Sequence, residues 1–202
     1  MKRISIEKLL DDPQKMREFV DDMQQGAVAV IPTDTLYGFA VSSQSKVAVD
    51  RIYQIKNRDS RKPLILFLES IVGLDELGLS LNEKQRQLLN ECWPGALTAV
   101  LPRPDSDLIS AFSFATLGIR VPGHRQLQRL LAGLPFKLLT TSANRSGLPS
   151  DPDPEIIARE FSAEIDWLID DGCLATNTAS TVIDLTSEPF KILRAGAVIP
   201  KL

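Results

Sequence analysis

The chain has very little histidine and cysteine. Its 202 residues include one histidine, His124, and two cysteines, Cys92 and Cys173. These numbers exclude zinc sites of four cysteines, mixed cysteine-histidine zinc sites and multi-histidine metal sites. No CxxC pair is present, so a thioredoxin-like redox centre is excluded as well. A catalytic triad would have to use His124, for which an exposed position at a helix start is the simpler interpretation.

Glycine-rich phosphate loops and long apolar runs are also missing. No GxGxxG motif occurs, and the GxxxxG spacing of Gly118 and Gly123 is followed by His-Arg instead of Lys-Ser/Thr. No stretch approaches the ~18 apolar residues of a membrane helix, and the N-terminus lacks a signal-peptide core. Two separated cysteines suit a reducing compartment. We therefore predict a cytoplasmic protein without membrane association, zinc, flavin or NAD.

Acidic residues are missing from one long segment. Residues 108–150 contain five Lys or Arg and no Asp or Glu, and residues 56–62 carry a net charge of +3. Because the whole chain has a formal charge of −3, the remainder carries −11. If the two basic segments meet in space, they form an anion-binding cleft inside an acidic protein. A focused positive potential of this kind suits a small ligand rich in phosphate.

Alternating apolar runs and amphipathic segments predict an α/β fold. Strands are predicted at 27–31, 64–68, 96–101, 117–121, 137–141, 166–169, 180–185 and 190–194. Helices are predicted at 13–25, in a segment ending near Lys56, from a capping box at 80–83 to about Cys92, and from Asp153-Pro154. This interleaving predicts one α/β domain over residues 1–202 with a mixed sheet.

Several predicted loops carry polar side chains that could bind a ligand. The clusters lie at 32–38, 56–63, 139–147 and 180–184. Four cations between Lys56 and Lys62 repel one another unless an anion lies between them. Each cluster also has an ordinary interpretation as a polar turn, a solvated loop or an edge strand. Arg120 interrupts an apolar strand, and its partner would be either a structural carboxylate or a ligand carboxylate.

Taken in order, these motifs resemble the YrdC-like family. They are PTDTLYG at 32–38, KNR and RKPL within 56–64, WPGALT at 93–98, GIRVP at 118–122, TSANRSG at 141–147, STVID at 180–184 and LRAGA at 193–197. The resemblance covers about residues 27–197. It implies the short, single-domain form of the family, with a twisted parallel and antiparallel sheet and flanking helices around a basic concave cleft.

The resemblance also implies a reaction. Active members of the family are nucleotidyltransferases that make threonylcarbamoyl-AMP from L-threonine, bicarbonate and ATP and release pyrophosphate. A downstream threonylcarbamoyltransferase complex then uses this product to form N6-threonylcarbamoyladenosine in tRNA. Mg²⁺ is expected to arrive with ATP, and direct tRNA contact through the basic cleft is a further expectation. Such chemistry needs positioning and electrostatics more than a nucleophilic side chain.

The family motifs imply roles for particular residues. Lys56 and Arg58 of the KxR element are expected to be catalytic and to neutralise phosphate. The implied ATP-binding residues are Lys56, Arg58, Lys62, Thr116, Ser142, Asn144, Ser150 and Arg194. The implied threonine-binding residues are Thr35, Arg120, Thr140 and Ser180. One position departs from the pattern, since Phe67 stands near a place where many active members have histidine.

Three other functions compete with the synthase. An RNA-binding module could hold RNA phosphates in the same basic cleft, although the cations alternate with small hydroxyl loops and not with aromatic side chains. A YciO-like paralogue would share the fold with weaker or different activity. Carbamoyl-adenylate chemistry occurs in related domains of much larger proteins. The presence of both KxR and SxN favours the synthase.

Overall fold

The computed structural model describes residues 1–59, 62–111 and 114–201. All the candidate site residues lie within these ranges, whereas Arg61 of the basic cluster lies outside them. A ten-stranded sheet organises the described chain. Its strands are β1 (Lys2–Ser5), β2 (Ala29–Ile31), β3 (Gly38–Ser42), β4 (Ile65–Phe67), β5 (Leu97–Pro102), β6 (Thr116–Arg120), β7 (Leu138–Ser142), β8 (Trp167–Asp170), β9 (Thr181–Asp184) and β10 (Lys191–Arg194).

The sheet is mixed, which confirms the predicted fold class. Its strand order is β1-β8-β2-β3-β7-β4-β6-β5-β9-β10. Parallel pairs are β1 with β8, β8 with β2, β4 with β6, and β5 with β9. The other neighbours are antiparallel. The predicted strands therefore exist within a few residues of their expected bounds.

The helices lie on both faces of this sheet. They are α1 (Ile6–Asp11), α2 (Pro13–Gln24), α3 (Lys46–Lys56), α4 (Gly73–Glu76), α5 (Glu83–Cys92), α6 (Arg125–Ala132) and α7 (Pro154–Phe161). Asp153 caps α7 before a proline in its first turn, as predicted. The predicted cap of α5 was wrong by two residues, because Asn82 and Gln85 form the capping box.

Side-chain alternation along the strands divides the core in two. Val28 and Val30 belong to the cluster that also contains the buried residues of α3, α4, α5 and α7. Ala29 and Ile31 belong to the cluster with α1, α2 and α6. Successive residues of a strand point to opposite faces, so the central strands are buried on both sides. No helix in the described part of the chain is long and apolar enough to cross a membrane.

The polar loops meet because of the strand register. β2 and β3 form an antiparallel pair joined by residues 32–37, so the first motif is a connection between two central strands. Gly38 at the start of β3 pairs with Ser142 at the end of β7. Arg120 at the end of β6 lies beside Phe67 on β4. Three motifs that are distant in sequence therefore border one region of the sheet.

Candidate functional site

A cavity of about 130 Å³ lies where these motifs converge. It takes in seven of the twelve residues predicted to bind ligands. The lining residues are Thr33, Thr35, Leu36, Tyr37, Gly38, Arg58, Pro63, Ile65, Phe67, Arg120, Thr140, Thr141, Ser142, Ala179, Ser180 and Arg194. Hydroxyl groups and three arginines supply its polar wall, and residues of β4 supply an apolar wall.

Arg120 anchors one end of the cavity and is only 3% exposed. Its Nη2 donates to Asp34 Oδ1 at 2.6 Å, and its Nη1 donates to Thr35 Oγ1 at 2.9 Å. Its Nε donates to the Gly95 carbonyl oxygen at 2.9 Å. A structural carboxylate therefore satisfies the buried charge. A guanidinium has five N–H groups, so two of them have no partner recorded among the described residues.

The hydroxyl groups of Thr33 and Thr35 lie side by side at the cavity. Thr33 Oγ1 donates its single proton to the Leu36 carbonyl oxygen at 2.6 Å and accepts from the N–H groups of Thr35 and Leu36. These bonds use its proton and both of its lone pairs, so its 3.0 Å contact with Thr35 Oγ1 has no defined donor. Thr35 Oγ1 accepts from Arg120. It keeps a second lone pair, which suits an N–H group of a ligand.

Two further arginines face the same cavity. Arg58 donates from Nη1 to Thr141 Oγ1 at 3.0 Å and from Nη2 to the Pro63 carbonyl oxygen at 3.1 Å. Its buried Nε has no hydrogen-bond partner in the described structure. Burial lowers the pKa of Arg58 and of Arg120, and the nearby positive charge of Arg194 lowers both further. The three guanidinium groups therefore repel one another across a space that favours an anion.

A β-bulge places Arg194 in the cavity. Ile192 pairs with Ile183, but Arg194 pairs with Val182, so Leu193 is an extra residue on β10. Arg194 consequently lies on the Val182 face and donates from Nη2 to the Ser180 carbonyl oxygen at 2.8 Å. Ser180 Oγ in turn contacts Thr98 Oγ1 at 2.8 Å.

Glycine allows the chain after β10 to lie close to β9. A Cβ atom at Gly196 would be 2.3 Å from the Ala179 carbonyl oxygen, which is impossible for any other residue without backbone movement. The Gly196 N–H instead donates to Thr181 Oγ1 at 3.0 Å. The STVID and LRAGA motifs are thus held together beside the cavity.

Deletion of Leu193 tests the role of the bulge. Without the extra residue, Arg194 would follow Ile192 directly and would still pair with Val182, so it should keep its face of β10 and its contact with Ser180. We expect the deletion to keep ATP affinity close to that of the wild-type protein, whereas Arg194→Ala should weaken it. Calorimetric titration with ATP and a thermal melt measure affinity and stability. An ATP affinity as weak as that of Arg194→Ala in a deletion variant that melts normally would contradict this account.

Lys56 does not reach the cavity, contrary to the prediction that it contacts phosphate. It is 2% exposed. Its Nζ donates to the carbonyl oxygens of Ser142 and Asn144 and to Asn144 Oδ1. These bonds use all three hydrogens of the ammonium group. Desolvation by burial and the nearby charge of Arg58 lower the pKa of Lys56 to about 7.

Asn144 also turns inward and does not line the cavity. Its Oδ1 accepts from Lys56 Nζ and from Ser142 Oγ, while its Nδ2 donates to the carbonyl oxygens of Arg145 and Leu148. Its side-chain amide is therefore committed to the loop, which differs from the prediction of direct ATP contact. Ser142 lines the cavity, with its proton directed to Asn144.

Three other predicted residues lie away from the cavity. Lys62 is exposed, and its backbone carbonyl accepts from the Tyr53 hydroxyl at 2.9 Å. Thr116 is exposed at the start of β6. Arg120 lies four residues later on the same strand, which corresponds to about 13 Å along it. The Ser150 carbonyl accepts from Asn177 Nδ2 at 2.8 Å. None of the three lines the cavity in this structure, so their roles in ATP binding stay predictions.

His124 is the N-cap residue of α6, which confirms its predicted position at a helix start, but its side chain is only 13% exposed, contrary to the expectation of an exposed residue. Its Nδ1 accepts from the Leu127 N–H at 3.1 Å, and its Nε2 lies 2.9 Å from Asp171 Oδ2. It does not line the cavity that contains the three arginines. The residues that sequence reasoning missed include Thr33 and Thr141, which are hydroxyl groups within motifs that it had already identified.

A family comparison matches most of the chain. The Sua5/YciO/YrdC family, whose description reads telomere recombination, matches residues 21–196. The chain belongs to this family. The match includes every residue that lines the cavity.

Characterised members of the Sua5/YciO/YrdC family resemble the chain over most of its length. The threonylcarbamoyl-AMP synthase of Pyrococcus abyssi is 32% identical and covers 91% of this chain. The P. abyssi Sua5 crystal structure complexed with L-threonine aligns with a TM-score of 0.82 at 32% identity, over 92% of this chain and 55% of that one. Escherichia coli YciO aligns with a TM-score of 0.79 at 27% identity, over 92% of this chain and 90% of that one.

The chain is shorter than these synthases. It spans about half the length of the curated relatives that it matches, 54% of the P. abyssi protein and 55% of a Bacillus subtilis threonylcarbamoyl-AMP synthase that is also 32% identical. The similarity therefore concerns the part of those proteins that carries the Sua5/YciO/YrdC fold.

The cavity residues of this family member do not fit a magnesium ion held by the protein. Mg²⁺ in nucleotide sites is usually bound by one or two carboxylates together with phosphates. No Asp or Glu is among the described residues that line the cavity. Among the described residues there is also no group of three or more His, Cys, Asp or Glu that could hold a metal ion.

Proposed function

We propose that this chain synthesises threonylcarbamoyl-AMP from L-threonine, bicarbonate and ATP, with release of pyrophosphate. The observation that carries the proposal is the convergence of Arg58, Arg120 and Arg194 with hydroxyl groups around one cavity. Three cations in one cavity are suited to a ligand that carries a carboxylate and phosphates. The P. abyssi relative that binds L-threonine has the same fold.

The amino-acid end of the cavity is assigned to Arg120 and its neighbours. The two remaining N–H groups of Arg120 match the two oxygens of a carboxylate. Thr35 offers a lone pair that can accept from the threonine amine, and Ser180 and Thr140 add hydroxyl groups at the border. Ile65 and Phe67 provide apolar surface for the threonine methyl group. Phe67 offers no polar contact to the threonine hydroxyl, so that hydroxyl must be bound by other residues.

The nucleotide end is assigned to Arg58, Arg194 and Ser142, whose hydroxyl would turn from Asn144 Oδ1 to donate to a phosphate oxygen. The unpartnered Nε of Arg58 is a buried donor on a side chain that lines the cavity, and a ligand anion could accept from it. Arg194 lines the same cavity and adds a second cation. We propose that these groups bind the phosphates of ATP. Mg²⁺ would then arrive bound to those phosphates, since this wall offers it no carboxylate.

The reaction needs no nucleophilic side chain. The threonine amine forms a bond to the carbon of carbon dioxide derived from bicarbonate and loses a proton, which gives a carbamate. A carbamate oxygen then attacks the α-phosphorus of ATP, and the bond from that phosphorus to the pyrophosphate oxygen breaks. Negative charge grows on the phosphoryl oxygens and the leaving group, and preorganised arginines stabilise both.

The product is a mixed anhydride that a tRNA-modifying transferase could consume. We propose that a downstream threonylcarbamoyltransferase complex uses it to form N6-threonylcarbamoyladenosine, in the cytoplasm. Direct contact between tRNA and the basic cleft stays a prediction. Salt-dependent tRNA binding that is lost on Arg58→Ala would support it, and absence of binding at low salt would contradict it.

An omission assay tests the proposed activity. Pyrophosphate release from ATP is measured with threonine, bicarbonate or the protein left out in turn. We expect release only in the complete mixture, with threonylcarbamoyl-AMP detected by mass spectrometry. Release that does not depend on threonine would contradict the proposal, and so would no release in the complete mixture. Serine in place of threonine serves as a matched substrate control.

A further inference from the structure

The end of α3 and the SxN loop are joined by hydrogen bonds in both directions. The loop is defined as residues 142–148. Lys56 Nζ donates to three oxygen atoms of this loop. In return, the Ser146 N–H donates to the Lys56 carbonyl oxygen at 2.8 Å. Arg145 Nη1 donates to the Ile55 carbonyl oxygen. The last carbonyl groups of a helix lack intrahelical partners, and here the SxN loop supplies them.

The chain turns sharply after Lys56. Asn57 adopts a left-handed conformation with φ of 48° and caps α3. Lys56 consequently faces the loop while Arg58, two residues later, faces the cavity and contacts Thr141. The aromatic ring of Phe39 lies 5.5 Å from Lys56 Nζ and covers the ammonium on another side. The two cations of the KxR element therefore have different surroundings.

We propose that Lys56 is a positioning residue, which fixes the SxN loop against the end of α3 so that Ser142 and Arg58 face the same phosphate. The inference rests on the proposed function for the identity of the ligand. A direct contact between Lys56 and phosphate would require the ammonium to give up three hydrogen bonds that join α3 to the SxN loop. Asn144 acts in the same unit, because it accepts from Lys56 and Ser142 and holds the far side of the loop.

Hydrogen exchange of the ligand-free protein separates positioning from direct contact. In Lys56→Met the loop loses three hydrogen-bond donors, so the amides of residues 142–148 should exchange faster before any nucleotide is added. We expect kcat/KM for ATP to fall about 100-fold, because a shift of about 1 Å in a group that positions the substrate can have an effect of this size. Lys46→Met is the matched control, because Lys46 is an exposed lysine on the same helix and its ion pair is with the exposed Asp50. It should change neither quantity.

A second variant covers the case in which Lys56→Met does not fold. Asn144→Ala removes one of the three acceptors of Lys56, the side-chain oxygen, without changing a buried charge, and it should also speed exchange over the loop and lower kcat/KM for ATP. The double variant should resemble the more severe single variant, because both changes break one unit.

Two results would overturn the inference. The first is that the amides of residues 142–148 exchange at the normal rate in ligand-free Lys56→Met although its activity is lost. If only Asn144→Ala folds, the same result in that variant has the same meaning. The other is a double variant whose loss equals the product of the two single losses. The exchange measurement needs no turnover. Failure of the proposed reaction in the wild-type protein would therefore be recognised separately, by the omission assay.

Discussion

Arg58→Ala is expected to lower the rate of pyrophosphate release about 1,000-fold, within the range found for arginines that stabilise phosphoryl transfer. Arg58 lines the cavity and has a buried Nε without a partner among the described residues. Its removal would leave Arg194 as the cation assigned to phosphate. Steady-state measurement of pyrophosphate release at saturating ATP and threonine gives the effect on kcat.

The fold should survive this substitution. Among the described residues, the substitution removes the hydrogen bonds that Arg58 donates to Thr141 Oγ1 and to the Pro63 carbonyl oxygen. Arg86→Ala is the matched control, because Arg86 is an exposed arginine on α5 and should keep normal activity and stability. Arg58→Lys restores the charge but not the planar fork of N–H groups, so it should recover only a small part of the rate. If Arg58→Ala turned over within about twofold of the wild-type rate, the assignment of Arg58 to phosphate would be wrong.

The sheet was largely predictable because its central strands are continuous apolar runs. Such runs are typical of strands that are buried on both faces. β3 was missed for a local reason, since it begins inside a polar motif and three of its five residues are small, namely Gly38, Ala40 and Ser42. Its partner strands β2 and β7 complete its environment. That information lies far away in the sequence, so local propensity could not supply it.

The positions of the site motifs were predictable, but the direction of each side chain was not. Lys56 and Arg58 are separated by one residue in the sequence. Lys56 binds the SxN loop, whereas Arg58 faces the cavity. Asn57 between them is a residue that often ends helices in a left-handed conformation, and this was the available signal. Arg194 depends on a bulge at Leu193, which no composition pattern in the motif indicated.

Arg120 shows how sequence can leave two partners open. The sequence predicts that the partner of Arg120 is either a structural carboxylate or a ligand carboxylate. The structure supplies Asp34, 86 residues away, and leaves two N–H groups of the guanidinium without a partner among the described residues. Gly123 makes room for this pair, because a Cβ atom there would lie 2.9 Å from Asp34 Oδ2. The GIRVP and PTDTLYG motifs are therefore joined by one buried ion pair.

Arg120→Met should nearly abolish threonine binding and also destabilise the protein. Methionine keeps much of the side-chain volume but loses the charge. Asp34 then lacks its cation, and breaking a buried ion pair on one side costs about 3 kcal/mol at the lower end of the usual range, because Asp34 keeps 19% of its side chain exposed. We expect the KM for threonine to rise at least about 100-fold, the scale for a charged hydrogen-bonded pair left without its partner. Kinetics at varied threonine and denaturant unfolding measure the two effects.

A second substitution separates these two effects. In the double variant with Asp34→Asn, no unpaired carboxylate remains, so most of the lost free energy of unfolding should return. Threonine binding should stay weak, because the two spare N–H groups of Arg120 are still missing. Asp34→Asn alone should bind threonine nearly normally, since the asparagine oxygen can accept from Arg120 Nη2. If the double variant recovers threonine binding along with stability, Arg120 holds the fold and does not bind the substrate carboxylate.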